Sequence, residues 1–419
     1  MVTPSIPCPV ANSSGIKITA LETVIPGHIM PGLLLLRIHT DAGFVGHGET
    51  YYAPHAVASM IHDWMGRRLL DADPLSVENH WRFLYERASA FGARGAEMRA
   101  ISAIDLALWD ILGQACGKPV WQLLGGKARE KVRIYNSSGG PNYGRRVGEM
   151  GEQGWPGHGD LGKPGPLEDN WASNFAAGDL AEELIAEGYT AMKFWTFDRA
   201  YYEFGGGYIP WSAVKQYIKP MEEVRNRVGD KIEILLDGHG FFQLPAALRI
   251  AEAMRDLRPL WLEDVMRIDN ADTLADFRDK AGVPVAVSEM LCSREDYRLV
   301  LERRAADYVM IDPTWAGGIS ETRRLAEFAQ AYNIPATMHD CTGPLTLFSG
   351  LHVATAVPNV VFQESVRAHI RTFYSSLIDT NVIVENGFAL PPTGPGLGTR
   401  LLPELFDPAN PQYRVSRKS

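Results

Sequence analysis

The chain is poor in the features that would mark it as secreted, membrane-bound or nucleic-acid-binding. Only four cysteines occur in 419 residues, at Cys8, Cys116, Cys292 and Cys341. They are too few and too scattered for a disulfide framework or a thiolate metal site. Unpaired thiols in a reducing compartment are the simpler reading. No apolar run approaches the ~18 residues of a membrane span. The opening MVTPSIPCPV has no basic stretch ahead of an apolar core. No secretory signal is expected there, and a cytoplasmic location follows by elimination. Excess positive charge is also missing, since the net charge is −9. That argues against a broad phosphate-binding surface, so neither nucleic acid nor a membrane is an expected partner. An anionic small substrate stays open, because a bound metal ion can invert the local field.

With 46% hydrophobic and 22% charged residues, the chain has ample apolar surface for a large core. The first part reads as an α+β unit. Residues 15–24, 33–40 and 44–50 run or alternate as strands, with Asp41-Ala-Gly43 as a hairpin turn. Helical patterns follow at 56–70, 77–90 and 97–116. In the last of these, Ile101, Ile104, Leu108, Ile111 and Leu112 share one face, and Gly117-Lys-Pro119 ends it.

From Val132 short apolar strands alternate with helical stretches. Candidate strands are 132–135, 191–194, 233–236, 260–262, 285–287, 308–311, 336–338 and 360–362. Eight strands over roughly 230 residues suit a (β/α)₈-type barrel. The competing doubly wound sheet would need an early Gly-rich phosphate loop, and Gly205-Gly-Gly207 does not follow a strand. Residues 139–178 are rich in Gly, Pro and Asn, without periodicity, and predict an irregular insert at the catalytic mouth. The expected division is a capping unit at 1–130, a barrel at 131–383, and a Pro/Gly-rich tail at 384–419 that packs back on the capping unit.

The most informative feature is the polar residue just past successive strands. Asp237, Glu263, Glu289, Asp312, His339 and Glu364 follow one another at intervals of 26, 26, 23, 27 and 25 residues. One βα unit is about that long, so these residues recur at one height around the C-terminal rim, where barrel active sites sit. Asp237, Glu263 and Glu289 come from consecutive strands and would repel one another without a cation. Oxygen ligands without cysteine favour Mg²⁺ or Mn²⁺. Asp312 beside His339 suits a general base. His239, two residues past Asp237, is the natural acid on the opposite side. Glu364 either hydrogen-bonds an oxyanion or braces the metal shell. A divalent metal facing a base suits proton abstraction beside a carboxylate.

These residues also carry a resemblance. Ala100-Ile-Ser-Ala-Ile-Asp-Leu-Ala-Leu-Trp-Asp-Ile-Leu-Gly113 with Leu123-Leu-Gly-Gly126 is similar to the N-terminal signature of the mandelate racemase subgroup of the enolase superfamily. Leu236-Asp-Gly-His239, Leu262-Glu263, Ser288-Glu289, Ile311-Asp-Pro-Thr-Trp-Ala-Gly-Gly-Ile-Ser320 and His339-Asp-Cys-Thr-Gly-Pro344 resemble its barrel motifs in order. Within the subgroup the chain looks most like the acid sugar dehydratases, such as the galactonate dehydratases. The resemblance implies an α+β capping domain over a modified (β/α)₇β TIM-type barrel and Mg²⁺ on Asp237, Glu263 and Glu289. It implies His339 with Asp312 as base, His239 as acid, and Glu364 against the substrate carboxylate or enediolate. It also implies a small-molecule sugar acid as substrate and a homo-oligomer. Racemases of the subgroup carry Lys-x-Lys on the second barrel strand. Here the segment is Met192-Lys193-Phe194-Trp195, so Trp195 replaces the second Lys, and Lys193 is left to steady the substrate carboxylate. That pattern favours dehydration to a 2-keto-3-deoxy acid over racemisation, with a racemase or a non-catalytic sugar-acid binder as alternatives. By the same resemblance, capping-domain loops close over the substrate. His28, Tyr51 and Tyr52 lie in such loops, and Arg145, Arg146, Trp155 and His158 of the insert are further candidate contacts. The insert departs from the galactonate dehydratase pattern.

Overall fold

A computed structural model of the chain describes residues 12–145 and 161–418. Arg146, Trp155 and His158 lie outside the described residues. The N-terminal sheet is an antiparallel meander of β1 (Ile18–Val24), β2 (Leu33–Thr40) and β3 (Val45–Tyr51). The β2–β3 turn is closed by the Thr40 hydroxyl, which bonds the backbone of Phe44, with Gly43 in the left-handed region. Gly46 and Gly48 of β3 lie against the helix Ala96–Cys116. A Cβ at either position would collide with the Ala107 or Ala103 carbonyl, so glycine there permits the close approach of strand and helix.

That helix was expected to bury one face. It is buried almost all round, because the sheet covers one side and the barrel helix Gly318–Gln330 packs on the other. Its polar residues turn inward to join units. Asp105 accepts from the Ser320 N–H and hydroxyl at 2.9 and 2.6 Å, and Asp110 accepts from the His47 and Leu397 N–H groups. The helical stretch expected at 56–70 is present from Pro54 to Leu69. Its middle, Met60–Met65, is π-helical. In this widened turn His62 bonds Thr23 and Ser416, tying the helix to the first and last strands of the sheet.

The barrel is built from eight parallel strands: β4 (Val132–Ser137), β5 (Ala191–Phe194), β6 (Glu233–Asp237), β7 (Trp261–Glu263), β8 (Val285–Val287), β9 (Tyr308–Ile311), β10 (Ala336–Met338) and β11 (Val360–Ser365). It closes through β11 on β4, with Gln363 opposite Ile134. Tyr135, Ala191, Leu235, Trp261, Ala286 and Met310 fill its interior as a separate apolar cluster. A barrel core of this kind is packed, not a pore. After β11 the outer helix is reduced to the short Arg367–Thr372, in keeping with the (β/α)₇β expectation.

The irregular insert is shorter than expected. Helices Asp169–Phe175 and Ala177–Ala186 begin inside the 139–178 stretch. Asp169, Asn170, Ser173 and Asn174 are weak helix formers, which hid the first helix. Its anchor is non-local: buried Arg367, just past β11, pairs with Asp169. The C-terminal segment touches both units. A hairpin of β12 (Val384–Glu385) and β13 (Phe388–Ala389) extends β4, and β14 (Arg414–Arg417) pairs with β1. Among the described residues no helix is long and apolar enough to cross a membrane.

Candidate active site

Strand register sets the rim. Asp237 and Glu263 are directly paired partners at the ends of β6 and β7. Glu289 follows β8, Asp312 follows β9, His339 follows β10, and Glu364 lies on β11. All six are buried. Because β6 and β10 stand four places apart in a ring of eight, His239 and His339 enter the mouth from opposite sides.

Each histidine has its own carboxylate. His339 Nδ1 lies 2.7 Å from Asp312 Oδ2, and Asp312 Oδ1 accepts from the Thr314 N–H and hydroxyl at 2.6 and 2.7 Å. That locks the ring and leaves Nε2 as the reactive nitrogen, 3.5 Å from Cys341 Sγ and 3.8 Å from Glu364 Oε2. Burial pulls the His339 pKa down. The Cys341 sulfur, Glu364 and the bond His339 gives to Asp312 outweigh it and hold the pKa well above the usual imidazole value. His239 Nδ1 faces both oxygens of Asp198, at 3.1 and 2.9 Å, and its Nε2 is 3.5 Å from Asp237 Oδ2. Burial again opposes the charge, and Asp198 and Asp237 push the pKa up to about 9. His239 sits at φ 47°, a left-handed conformation that points its N–H at Asp237 Oδ1, 2.8 Å away. Non-glycine residues adopt that region at a cost, and such strain collects at functional sites.

Lys193 on β5 is the counter-charge at the centre. Its ammonium pairs with Glu263 at 2.7 Å and Glu364 at 2.6 Å and lies 3.4 Å from Asp237. It therefore holds carboxylates rather than standing free in the mouth. One lysine does not balance them. Burial, with Asp237, Glu364 and Glu289 nearby, raises the Glu263 pKa to about 8 even against Lys193. Glu289 is likewise raised, first by burial, and its Oε2 is buried without a hydrogen-bond partner. Among the described residues no group of three His, Cys, Asp or Glu side chains is arranged so that it could hold a metal ion as it stands. The donor set still fits a hard divalent cation: only carboxylate oxygens, mutually repelling, with one oxygen orphaned.

Aromatic rings wall the mouth. On one side Tyr51, Tyr52, Trp315 and His339 follow one another with centroid spacings of 4.7, 5.4 and 5.1 Å. On the other, Tyr143 lies 5.0 Å from Trp195, which lies 5.9 Å from His239. Tyr51 is thus in the wall, its hydroxyl 3.4 Å from the Gly144 carbonyl. Arg145 is tied to the Ile29 and Pro141 carbonyls and stacks on Phe373. His28 is exposed and lines a separate pocket of about 690 Å³ with Ser375, Glu404 and Asp407. The structure does not bring it to the rim residues, because its loop faces the C-terminal segment.

Two groups escaped the sequence reading. Asp198, the partner of His239, stands four residues past β5 and so falls off the strand-end ladder. Asp264, at φ 42°, accepts from the Ser288 hydroxyl and braces the β7 and β8 ends. Its position directly after Glu263 was the available signal.

Comparison with known proteins agrees with the fold. The family model described as mandelate racemase/muconate lactonizing enzyme, N-terminal domain, matches residues 19–125, and the model described as enolase C-terminal domain-like matches 176–405. A D-galactonate dehydratase from Ralstonia pickettii is 30% identical over 91% of this chain and 91% of its own. A D-xylonate dehydratase from Haloferax volcanii is 29% identical, covering 92% of this chain and 87% of its own. Among solved structures, an enolase of the mandelate racemase subgroup from Agrobacterium tumefaciens superposes with a TM-score of 0.82 at 34% identity, over 96% of this chain and 99% of that one.

Proposed function

The chain belongs to the enolase superfamily, in its mandelate racemase/muconate lactonizing enzyme subgroup, and on that premise we propose that it dehydrates a sugar acid, an aldonate or aldarate, to a 2-keto-3-deoxy acid. The observation that carries this reading is the pair of carboxylate-bound histidines on opposite sides of the mouth, with Lys193 locked among acids and so unable to serve as a second base.

In the proposed reaction His339 Nε2 takes the proton from the carbon beside the substrate carboxylate. His239 donates its proton to the β-hydroxyl, which leaves as water when the C–O bond breaks. The resulting enol tautomerises to the keto acid. Proton removal and hydroxyl departure from opposite sides make the elimination anti. Mg²⁺ would be held by Asp237, Glu263 and Glu289, where its charge would balance the acids, favour a neutral His339 and neutralise the charge developing on the substrate carboxylate. Lys193 keeps Glu263 and Glu364 in place, and Asp312, fixed by Thr314, orients the base. The aromatic walls exclude water from the reacting carbons. The active form is proposed to be a homo-oligomer, which light scattering would check.

The test is a library of C5 and C6 aldonates and aldarates, incubated with Mg²⁺ in deuterated water and assayed for 2-keto-3-deoxy acid and for α-deuterium. Keto product from at least one member is expected. α-Deuterium without keto product would replace the reading with a racemase or epimerase. Metal binding with neither would leave a binding protein.

A further inference from the structure

A chain of buried hydroxyls links the capping sheet to the base. Glu49 of β3 places Oε1 2.6 Å from the Thr346 N–H nitrogen and 2.8 Å from the Thr346 hydroxyl, at the start of the helix Pro344–Ala356. Thr346 Oγ1 lies 3.2 Å from Thr314 Oγ1 and 3.1 Å from Thr342 Oγ1. Thr314 Oγ1 bonds Asp312, which holds His339. Glu49, Thr346, Thr314 and Asp312 are all fully buried. Gly343 makes the contact possible, since a Cβ there would stand 2.6 Å from both Glu49 oxygens.

Counting protons gives the chain a direction. A hydroxyl has one proton to donate, and an ionised carboxylate has none. Thr314 gives its proton to Asp312. If Glu49 were ionised, Thr346 would give its proton to Glu49, and Thr314 and Thr346 would face each other at 3.2 Å with nothing left to share. If Glu49 carries a proton on Oε1, every contact is satisfied: Glu49 donates to Thr346, Thr346 to Thr314, and Thr314 to Asp312. Thr342 then donates to the remaining lone pair of Thr346. We propose that Glu49 is a positioning residue for His339, donating as a neutral carboxyl into the Thr346–Thr314 chain that fixes Asp312, so that docking of the capping sheet sets the base. This rests on the reading of His339 as the base.

Two further observations agree. Glu49 Oε2 is buried without a partner, tolerable for a carbonyl oxygen and costly for an anion. Burial raises the Glu49 pKa to about 7, against the bonds from Thr346 and Leu345 and with help from the Asp312 charge. Around Glu49, β2 sets Leu35 opposite, the helix Ala96–Cys116 lays the Ala103 backbone along Gly48, and Tyr374 is the other titratable group coupled to it.

The test uses two readouts that need no turnover. Infrared difference spectra of wild type against Glu49→Gln should show a neutral carboxylic acid band below about pH 6 that is gone above about pH 8. NMR of ¹³C-histidine-labelled protein, with the His339 signal assigned by its loss in His339→Asn, gives the titration midpoint of the base. Thr314→Val and Glu49→Ala should move that midpoint by more than about half a pH unit. Glu49→Gln should move it less than Glu49→Ala, because its amide N–H can donate to the Thr346 hydroxyl although it cannot also accept from the Thr346 N–H as Oε1 does. Thr314→Val keeps the side-chain volume and serves if Glu49→Ala fails to fold. Absence of the band, or a midpoint that moves equally in the Gln and Ala variants or in none, overturns the proposal. If both readouts hold while no sugar acid turns over, the relay stands and the proposed reaction falls.

Discussion

Arg367→Met tests what closes the barrel at its mouth. Arg367 sits three residues past Glu364, and its backbone N–H bonds Asn136 Oδ1 across the β11–β4 seam. Its guanidinium grips both oxygens of Asp169, at 2.8 and 2.7 Å, and reaches Glu183 and Glu187 at 2.8 and 2.7 Å. The Glu183 side chain is 55% exposed, so once released it turns to water at little cost. Asp169 is only 1% exposed and would keep a single donor, Asn136 Nδ2 at 2.9 Å. Removing one partner of a buried pair strands the other charge, at a cost of about 3–5 kcal/mol. Adding Asp169→Asn removes that charge. The double variant should then lie within about 1 kcal/mol of wild type, because an apolar replacement of a buried pair is often close to neutral. Urea unfolding at constant slope reads both values. A double variant as unstable as Arg367→Met alone would show that packing of the long side chain, and not the stranded carboxylate, carries the stability. The Arg367→Met protein, where folded, should also lose activity through a loosened Glu364.

Three other outcomes follow from the geometry. Gly48→Ala pushes a methyl group into the Ala103 carbonyl and should cost about 1–3 kcal/mol in urea unfolding. Burial pushes Asp105 up to about 7 from 3.8, against its bonds from Ser320. The folded chain therefore holds a proton that the unfolded chain loses earlier, so this residue's stabilisation is complete below about pH 4 and is lost as pH rises through about 7; Asp105→Asn should flatten that slope in unfolding midpoints. Mg²⁺ at about 100 times its dissociation constant should add about 2.7 kcal/mol to thermal stability after chelator treatment. Glu289→Gln should remove that gain, and an unchanged shift would exclude Glu289 as a ligand.

The barrel was legible because its strands are short apolar runs, each ending in a polar residue at a near-constant interval. That regularity revealed Asp237, Glu263, Glu289, Asp312, His339 and Glu364 together. What escaped has no periodic signature. Asp198 opens the helix Asp198–Phe204, past the strand end, and acquires its meaning from His239, which folding brings to it from 41 residues away. Asp105 and Asp110 look like the wet face of an amphipathic helix and are buried only because a second unit covers that face. The helix Asp169–Phe175 has poor local propensity and is held by Arg367, nearly 200 residues downstream. Glu49 reads as a strand residue beside glycines, and its link to the base depends on the cap meeting the barrel.

The division of labour between the two histidines is the sharpest claim about the chemistry. As the chain stands, both rings are biased toward the protonated form, and elimination needs them unlike. Their surroundings differ. His239 faces Asp198 through one nitrogen and Asp237 through the other, so carboxylates support its proton on both sides. His339 has Asp312 behind it, while its reactive nitrogen faces a thiol and a Glu364 already paired with Lys193. Positive charge added at the rim therefore discharges His339 more readily than His239. His339→Asn should abolish α-proton exchange, a loss of about 10²–10⁴-fold, or roughly 3–5 kcal/mol of barrel-mouth catalysis. His239→Asn should spare exchange and slow dehydration by a similar factor. Exchange measured by mass spectrometry in deuterated buffer, beside keto-acid formation, separates the two steps. Exchange surviving in His339→Asn and vanishing in His239→Asn would reverse the roles, placing the base on β6 beside Asp198 and the acid on β10.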